Sequence, residues 1–180
     1  MSPVGGLAWY DCILQYNNCY DRQMQPIIPP IRNAVRAVIR RDNRILLLRK
    51  DGYEQGERFA LPGGGQDIGE TLQQALTREC LEEIGTRVEI HDLVYVADYF
   101  KPRETTPQST RHLVEFLFEC SVPRDYAPRS GHHPDKHQVE VVWASLDELA
   151  GMPINPSSLT PYLANSMQGS GTVYLGTIDW

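Results

Sequence analysis

One predicted helix constrains this chain more than any other segment, because its apolar face runs into three carboxylates. The stretch from Thr71 to Ile84 contains neither glycine nor proline and is followed by Gly85, which predicts a helix ending at a glycine cap. At about 100° per residue, Leu72, Ala75 and Leu76 form one apolar stripe on this helix. The stripe continues into three acidic residues, Glu79, Glu82 and Glu83. Acidic side chains normally lie on the opposite, solvated face of a helix, so this arrangement requires a specific explanation.

The three carboxylates lie within about one turn and repel each other, and the repulsion grows as burial lowers the local dielectric. Arg78 can neutralise one of them, but a single guanidinium cannot neutralise all three. Hard divalent cations such as Mg²⁺ or Mn²⁺ prefer carboxylate, carbonyl and water oxygens. The helix therefore predicts a metal site. The alternative is a frayed helix end at which Glu82 and Glu83 are simply solvated.

The acidic helix is the second half of a longer motif. The motif reads Gly64-x5-Glu70-x7-Arg78-Glu79-Cys80-Leu81-Glu82-Glu83-Ile84-Gly85. At every fixed glycine and charged position it resembles the signature of the Nudix hydrolase family. Two positions at which the signature has an apolar residue match it less well, since Cys80 is a small apolar substitute and Thr86 replaces an aliphatic residue.

The resemblance implies a role for each fixed position of the motif. Metal ions are expected on the carbonyl of Gly64 and on the three helix carboxylates, Glu79, Glu82 and Glu83. Glu70 is expected to pair with Arg78, which in turn orients the glutamates. An acid near a helix start also interacts favourably with the helix dipole, so a purely structural role for Glu70 is the alternative.

The resemblance also implies an activity, a Mg²⁺-dependent hydrolysis of the diphosphate linkage in a nucleoside diphosphate derivative. Metal ions would neutralise the diphosphate and lower the pKa of a bound water, and a carboxylate would accept the water proton. Glu83 and Glu140 are the candidates for this base, and an exposed strand glutamate is the other interpretation of Glu140. Pro102, sixteen residues after Thr86, slightly favours an ADP-ribose-like substrate.

Two further functions stay open at this point. One is a nucleoside-triphosphate pyrophosphohydrolase that removes damaged nucleotides. The other is a non-catalytic sensor of a nucleotide sugar, although retention of the full acidic set favours an enzyme.

Four residues outside the motif are candidates for substrate binding. Arg103 and Arg111 bracket a polar loop and can grip a phosphate, although solvated loop arginines are the alternative. Tyr99 can line a base pocket, and His137 can contact the substrate from the loop that precedes Glu140.

The remaining pattern predicts strands before and after the acidic helix. Aliphatic runs at Ala34–Ile39 and Arg44–Leu48 flank Arg41-Asp42-Asn43 and predict a hairpin. Further strands are predicted near Leu61 and at Val88–Tyr99, Leu113–Val122, Glu140–Trp143 and Thr172–Ile178, with a loop from Lys101 to Thr110. This order predicts an α/β (α+β) fold, a Nudix-like mixed β-sheet sandwiched between helices.

The first thirty residues differ from the rest of the chain. Residues 1–30 are rich in aromatic side chains and end in Pro29-Pro30, which predicts an N-terminal extension followed by a hydrolase domain over 31–180. We expect the extension to take part in a homodimer.

Composition limits the partners of the chain. A net charge of −6 and a pI of about 5.3 argue against broad binding to nucleic acid or to anionic membranes, which reward clustered Lys and Arg. We see neither a secretory leader nor an apolar run of the roughly 20 residues that a membrane span needs. The expected setting is the cytoplasm, and the expected partner is a small nucleotide diphosphate.

Overall fold

The computed structural model describes residues 27–52, 56–103, 105–164 and 173–179. Its strands are β1 (Ile27–Arg41), β2 (Arg44–Lys50), β3 (Arg58–Ala60), β4 (Glu89–Arg103), β5 (Ser109–Ser121), β6 (Gln138–Ser145) and β7 (Val173–Ile178). The helices are α1 (Leu72–Ile84) and α2 (Thr160–Ala164), with 3-10 turns at Leu146–Gly151 and Ser157–Leu159. The sheet order is β3-β2-β1-β5-β4-β7, and β6 pairs with β2.

The β1–β2 hairpin forms where the sequence predicts it. Arg41 pairs with Arg44, and the two turn residues Asp42 and Asn43 have φ angles of 52° and 57°. Asp and Asn tolerate this left-handed conformation, which gives the turn a twist that matches the strands.

The centre of the sheet is a long parallel pair, β1 with β5, next to the antiparallel pair of β5 with β4. The β4–β5 ladder continues to Lys101 opposite Arg111 and to Arg103 opposite Ser109. The predicted loop from Lys101 to Thr110 is therefore wrong at both ends. Ladder hydrogen bonds extend the strands through polar residues that propensity alone assigns to a loop.

Helical segments cover both faces of the sheet, as the fold prediction requires. One core cluster packs Leu76 and Ile84 of α1 against Val35 of β1. The other packs Leu163 of α2 against Leu117 of β5. The mixed α+β architecture is confirmed.

The predicted boundary at Pro30 falls inside a strand, because β1 begins at Ile27 and pairs with β5 from Ile27 opposite Thr110. The register of this ladder shifts between Ile28 and Arg32. The rest of the predicted extension lies outside the described residues. Within the described ranges, we find no helix with the length and apolar character to cross a bilayer.

Candidate active site

Helix α1 has both of its ends fixed by local sequence. The Thr71 side chain accepts a hydrogen bond from the backbone N–H of Gln74, and the Gln74 side chain accepts one from Thr71. This capping box satisfies two of the free N–H groups of the first turn. At the other end, Gly85 adopts φ 64°, the left-handed conformation of a helix C-cap. The caps fix where α1 begins and ends.

The acidic end of the helix is packed rather than frayed. Glu83 is only 4% exposed, while Glu79 and Glu82 are partly buried at the edge of the same face. The last carbonyls of α1 accept hydrogen bonds from the loop before β6. Gly131 N–H lies 3.0 Å from the Glu83 carbonyl oxygen, and His133 N–H lies 3.0 Å from that of Glu82. The solvated-end alternative therefore does not hold for Glu83.

A glycine loop brings main-chain atoms up to the acidic face. The Gly64 carbonyl accepts a hydrogen bond of 2.9 Å from Val35 N–H, which lays the loop on β1. A Cβ atom at Gly64 would lie 2.5 Å from the Glu79 carboxyl carbon. At Gly63, with φ 130°, a Cβ atom would collide with the Val35 carbonyl. The close approach of the loop to Glu79 thus depends on two missing side chains.

Arg78 holds the carboxylates of the motif in place. Its Nε and Nη2 atoms donate to the two Glu70 oxygens at 2.8 and 3.0 Å, and Nη1 donates to Glu79 at 2.8 Å. Nη1 also lies 3.5 Å from Glu82, and Nη2 donates to the Gly65 carbonyl at 2.9 Å. These hydrogen bonds to Arg78 lower the pKa of Glu70 to about 2. Glu70 and Arg78 form a bidentate pair, which fixes the guanidinium plane.

Glu83 is the most perturbed acid of the group. Its Oε2 atom accepts a hydrogen bond of 2.7 Å from the Gly63 N–H. Burial raises the pKa of Glu83 to about 7, although Lys50, the Gly63 N–H and Arg36 oppose the shift. A carboxyl group with such a pKa can exchange a proton near neutral pH.

Two cations, the partly buried Arg36 and the buried Lys50, interact with Glu83. Arg36 donates to Glu115 at 3.0 Å and to the Gly63 carbonyl, and Glu115 is fully buried. Lys50, itself buried, donates to Asp135 at 2.6 Å. Each cation therefore neutralises its own acidic partner and also stabilises negative charge on Glu83 through space.

The acids and cations line one cavity of about 570 Å³. Glu79, Glu82 and Glu83 line it together with the glycine loop. Six cationic side chains of the described residues also line it, namely Arg32, Arg36, Lys50, Lys101, Arg111 and Lys136. This volume lies within the range typical of small-molecule sites. Alternating acids and cations suit a ligand that is anionic and arrives with divalent metal.

Of the four residues expected to bind substrate, Arg111 alone lines this cavity. Tyr99 is buried in the core and donates its hydroxyl to Asn155 Oδ1 at 3.1 Å. His137 lies with Nδ1 3.2 Å from the Asp51 carbonyl oxygen. Arg103 lies at the end of β4, outside the cavity lining.

Glu140, the second candidate base, also lies outside the cavity lining. Its Oε1 atom accepts a hydrogen bond of 2.9 Å from Arg49, which also pairs with Glu57. The β2–β6 register places Glu140 directly opposite Arg49, so the strand pairing points this carboxylate to its cross-strand cation. The structure therefore does not bring Glu140 together with the acids of α1.

The oxygen atoms around Gly64 can be tested for their fit to a metal ion. Across the described ranges, no three acidic, histidine or cysteine side chains are grouped as a complete metal site. Arg78 occupies one Glu79 oxygen, and Glu79, Glu82 and Gly64 all line the cavity, with the Gly64 backbone packed against the Glu79 carboxylate. Mg²⁺ usually keeps several waters and takes one or two carboxylates together with substrate phosphates. The donor set fits such a partly hydrated ion.

Sequence reasoning missed Arg36, Lys50, Lys101 and Glu115 as parts of the site. A signal was available for two of them, since Arg36 interrupts an apolar strand and Lys50 ends another. A buried charge within a strand requires a partner or a ligand. For Glu115 the partner is identified only by the parallel β1–β5 pairing.

The comparisons with known proteins agree on one family. The NUDIX domain model matches residues 30–163. The chain is 31% identical over 129 residues to the NAD-capped RNA hydrolase NudC of Edwardsiella ictaluri, covering 72% of this chain and 45% of that protein. It is 35% identical over 89 residues to the ADP-ribose pyrophosphatase of Methanocaldococcus jannaschii, covering 49% of this chain and 50% of that protein. The chain thus spans about half the length of these two curated relatives.

A solved structure shares the fold. The MutT protein from Methanosarcina mazei Go1 superposes with a TM-score of 0.55 at 24% identity, over 77% of this chain and 91% of that chain. The likeness extends across most of the smaller protein and concerns the architecture alone.

Proposed function

Because this chain belongs to the Nudix hydrolase family, we propose that it is a Mg²⁺-dependent hydrolase that cleaves the diphosphate linkage of a nucleoside diphosphate derivative. One observation carries the proposal. Three acids of α1 and the Gly64 loop line the same cavity as six cations, and the acids suit a metal ion whereas the cations suit phosphate oxygens.

Each acid has a distinct place in this scheme. Glu79, Glu82 and the Gly64 carbonyl would hold Mg²⁺, whose chemistry is to offset phosphate charge and lower the pKa of a bound water. Arg78 keeps Glu79 in position, and Glu70 keeps Arg78 in position. Both are positioning residues, because their contacts are with other side chains of the site.

We assign the proton acceptor to Glu83 rather than Glu140. Glu83 lines the cavity and has one oxygen fixed by the Gly63 N–H, which leaves the other oxygen to accept a proton. Glu140 lies in an ion pair with Arg49. Arg36 and Lys50 hold the surroundings of Glu83 positive and would draw the phosphates towards it.

Two features favour an ADP-ribose-like substrate. The first is the similarity to the Methanocaldococcus ADP-ribose pyrophosphatase. The second is Pro102, which lies on β4 beside the cavity residue Lys101. Both concern substrate choice and leave the hydrolytic assignment unchanged.

The test is a panel of diphosphates incubated with the purified protein and Mg²⁺, with AMP and phosphate release followed by chromatography. Release from at least one compound should fall at least 100-fold in Glu82→Gln and in Glu83→Gln. Glu148→Gln, on an exposed 3-10 turn, is the matched control and should retain activity. Activity in both site variants would contradict the assignment of the acids. Tight Mg²⁺-dependent binding of ADP-ribose without cleavage would indicate a sensor instead.

A further inference from the structure

Of the six cations in the cavity wall, four form no ion pair or hydrogen bond with an acid of the described residues, and three of these four lie on strands of the sheet, whereas Lys136 lies in the loop before β6. The three on strands are Arg32 on β1, Lys101 on β4 and Arg111 on β5, and we call them the outer cation cluster. The inner cations differ in this respect, because Arg36 is paired with Glu115 and Lys50 with Asp135.

The strand register concentrates this positive charge. Lys101 lies directly opposite Arg111 in the β4–β5 ladder, and Arg103 follows two residues after Lys101 on the same strand face. Like charges in opposed positions destabilise a sheet. Burial, and then repulsion from Arg103 and Arg32, lowers the pKa of Arg111. The arrangement costs stability in a chain whose net charge is −6, so neither folding nor composition accounts for it.

The outer cluster lies beside the inner cations, because Arg36 and Lys50 both repel the charge on Lys101. Arg36 and Lys50 act on Glu83, whereas the charged groups that act on Arg111 are both cations. A diphosphate held at the acids of α1 would meet the inner cations first. The charge of the outer cluster then remains for a second anionic group within the same cavity.

We propose that the outer cation cluster binds a phosphate group of the substrate that is not part of the scissile diphosphate. The inference rests on the proposed function and narrows its substrate class to compounds with at least one additional phosphate, so that ADP-ribose itself would be a poorer substrate than a phosphorylated relative of it. That phosphate either extends the 5′ chain, as in a nucleoside triphosphate, or esterifies a ribose hydroxyl. Both sources present the same tetrahedral oxyanion, which guanidinium and ammonium groups bind with charge-assisted hydrogen bonds.

A binding experiment tests the cluster without relying on turnover. Calorimetry with inorganic tripolyphosphate in EDTA measures anion binding in the absence of divalent metal. We expect Lys101→Gln and Arg111→Gln each to weaken binding at least tenfold. Arg44→Gln removes the same charge from the exposed hairpin and should leave binding unchanged. Circular dichroism verifies the fold of each variant, and Arg111→Lys should recover part of the affinity. Equal binding by wild type and both cluster variants would overturn the inference.

Kinetics then identify the position of the extra phosphate. Values of kcat/KM are compared for ADP-ribose, ADP-ribose 2′-phosphate and ATP with Mg²⁺. The wild type should prefer one of the two more highly phosphorylated compounds at least tenfold, and Arg111→Gln should remove most of that preference. An equal loss for ADP-ribose would overturn the inference, because it would place Arg111 on the scissile diphosphate. If no compound is cleaved, the proposed function fails, and the calorimetry in EDTA still decides the anion site.

Discussion

Two adjacent glycines should respond in opposite ways to the same substitution. At Gly63 a methyl group would meet the backbone carbonyl of Val35, and the φ of 130° is unfavourable for alanine. At Gly64 the three atoms nearest to the methyl group would all belong to the Glu79 carboxylate, the closest at 2.5 Å, and φ is not in the left-handed region. Moving the Val35 backbone costs much more free energy than moving the end of the Glu79 side chain.

The magnitudes follow from these contacts. Gly63→Ala combines backbone strain of about 1–3 kcal/mol with loss of the buried hydrogen bond to Glu83, worth about 1–3 kcal/mol. We expect a loss of about 4 kcal/mol, or roughly 8–16 °C in Tm for a domain of this size. In Gly64→Ala the Glu79 carboxylate must move by about 1 Å, which weakens a partly exposed ion pair worth about 1 kcal/mol or less. A displacement of that size at a reacting centre can cost about 100-fold in rate.

The assay measures thermal unfolding by circular dichroism and hydrolysis of the best diphosphate for both variants. Gly151→Ala, where an added methyl group meets open space, is the control for the loss of a glycine. Gly64→Ala should fold normally and lose most of its activity, and Gly63→Ala should lose stability first. Activity of Gly64→Ala within threefold of wild type, or a Tm of Gly63→Ala equal to that of wild type, would contradict these expectations.

Three other perturbations test separate parts of the molecule. Arg78→Lys keeps the positive charge but loses the pair of guanidinium N–H donors that binds both Glu70 oxygens. We therefore expect kcat/KM to fall about 10–100-fold, with an unchanged circular dichroism spectrum. Partial removal from water and two neighbouring cations lower the pKa of Lys101 from 10.5 to about 8, although much of its side chain still contacts water. Between pH 8 and pH 10.5 the unfolded chain binds more protons than the folded chain, so the free energy of unfolding of the wild type should rise with pH. Lys101→Met should be more stable than the wild type at pH 7 and should lack this rise. If Tm changes equally with pH in the wild type and in Lys101→Met from pH 7 to 10, the lowered pKa of Lys101 is contradicted. Removing residues 1–26, which leaves β1 intact, should convert a dimer into a monomer by light scattering, and an unchanged mass would refute the predicted role of the extension.

Features determined by neighbouring residues were predictable from the sequence. Thr71 and Gly85 set the ends of α1, and Asp42-Asn43 set the β1–β2 turn, because caps and turns depend on a few consecutive residues. The acids of α1 were located by the same kind of argument, since a helical period places them relative to Leu76. Loop length was harder to predict, because the β4–β5 ladder continued through polar residues as far as Arg103.

Features determined by strand pairing were not predictable in this way. Arg36 and Glu115 are 79 positions apart, and their ion pair exists because β1 lies parallel to β5. Pairing also explains why Glu140 is displaced from the site, since its position on β6 is opposite Arg49. Local sequence identified an acid in the expected region, but the register decided which cation it would face.

The buried charges of the site share a property that helps to separate function from folding. Arg36 interrupts an apolar strand, Lys50 ends one, and Glu83 continues an apolar helix stripe, so each departs from its local pattern and each is buried or nearly so. Burying a charge costs several kcal/mol unless partners offset it, and replacing a buried pair by apolar residues is often neutral or stabilising. Stability alone would therefore not retain these three charges together. The ligand proposed for this cavity would account for their convergence from a strand pair and a helix.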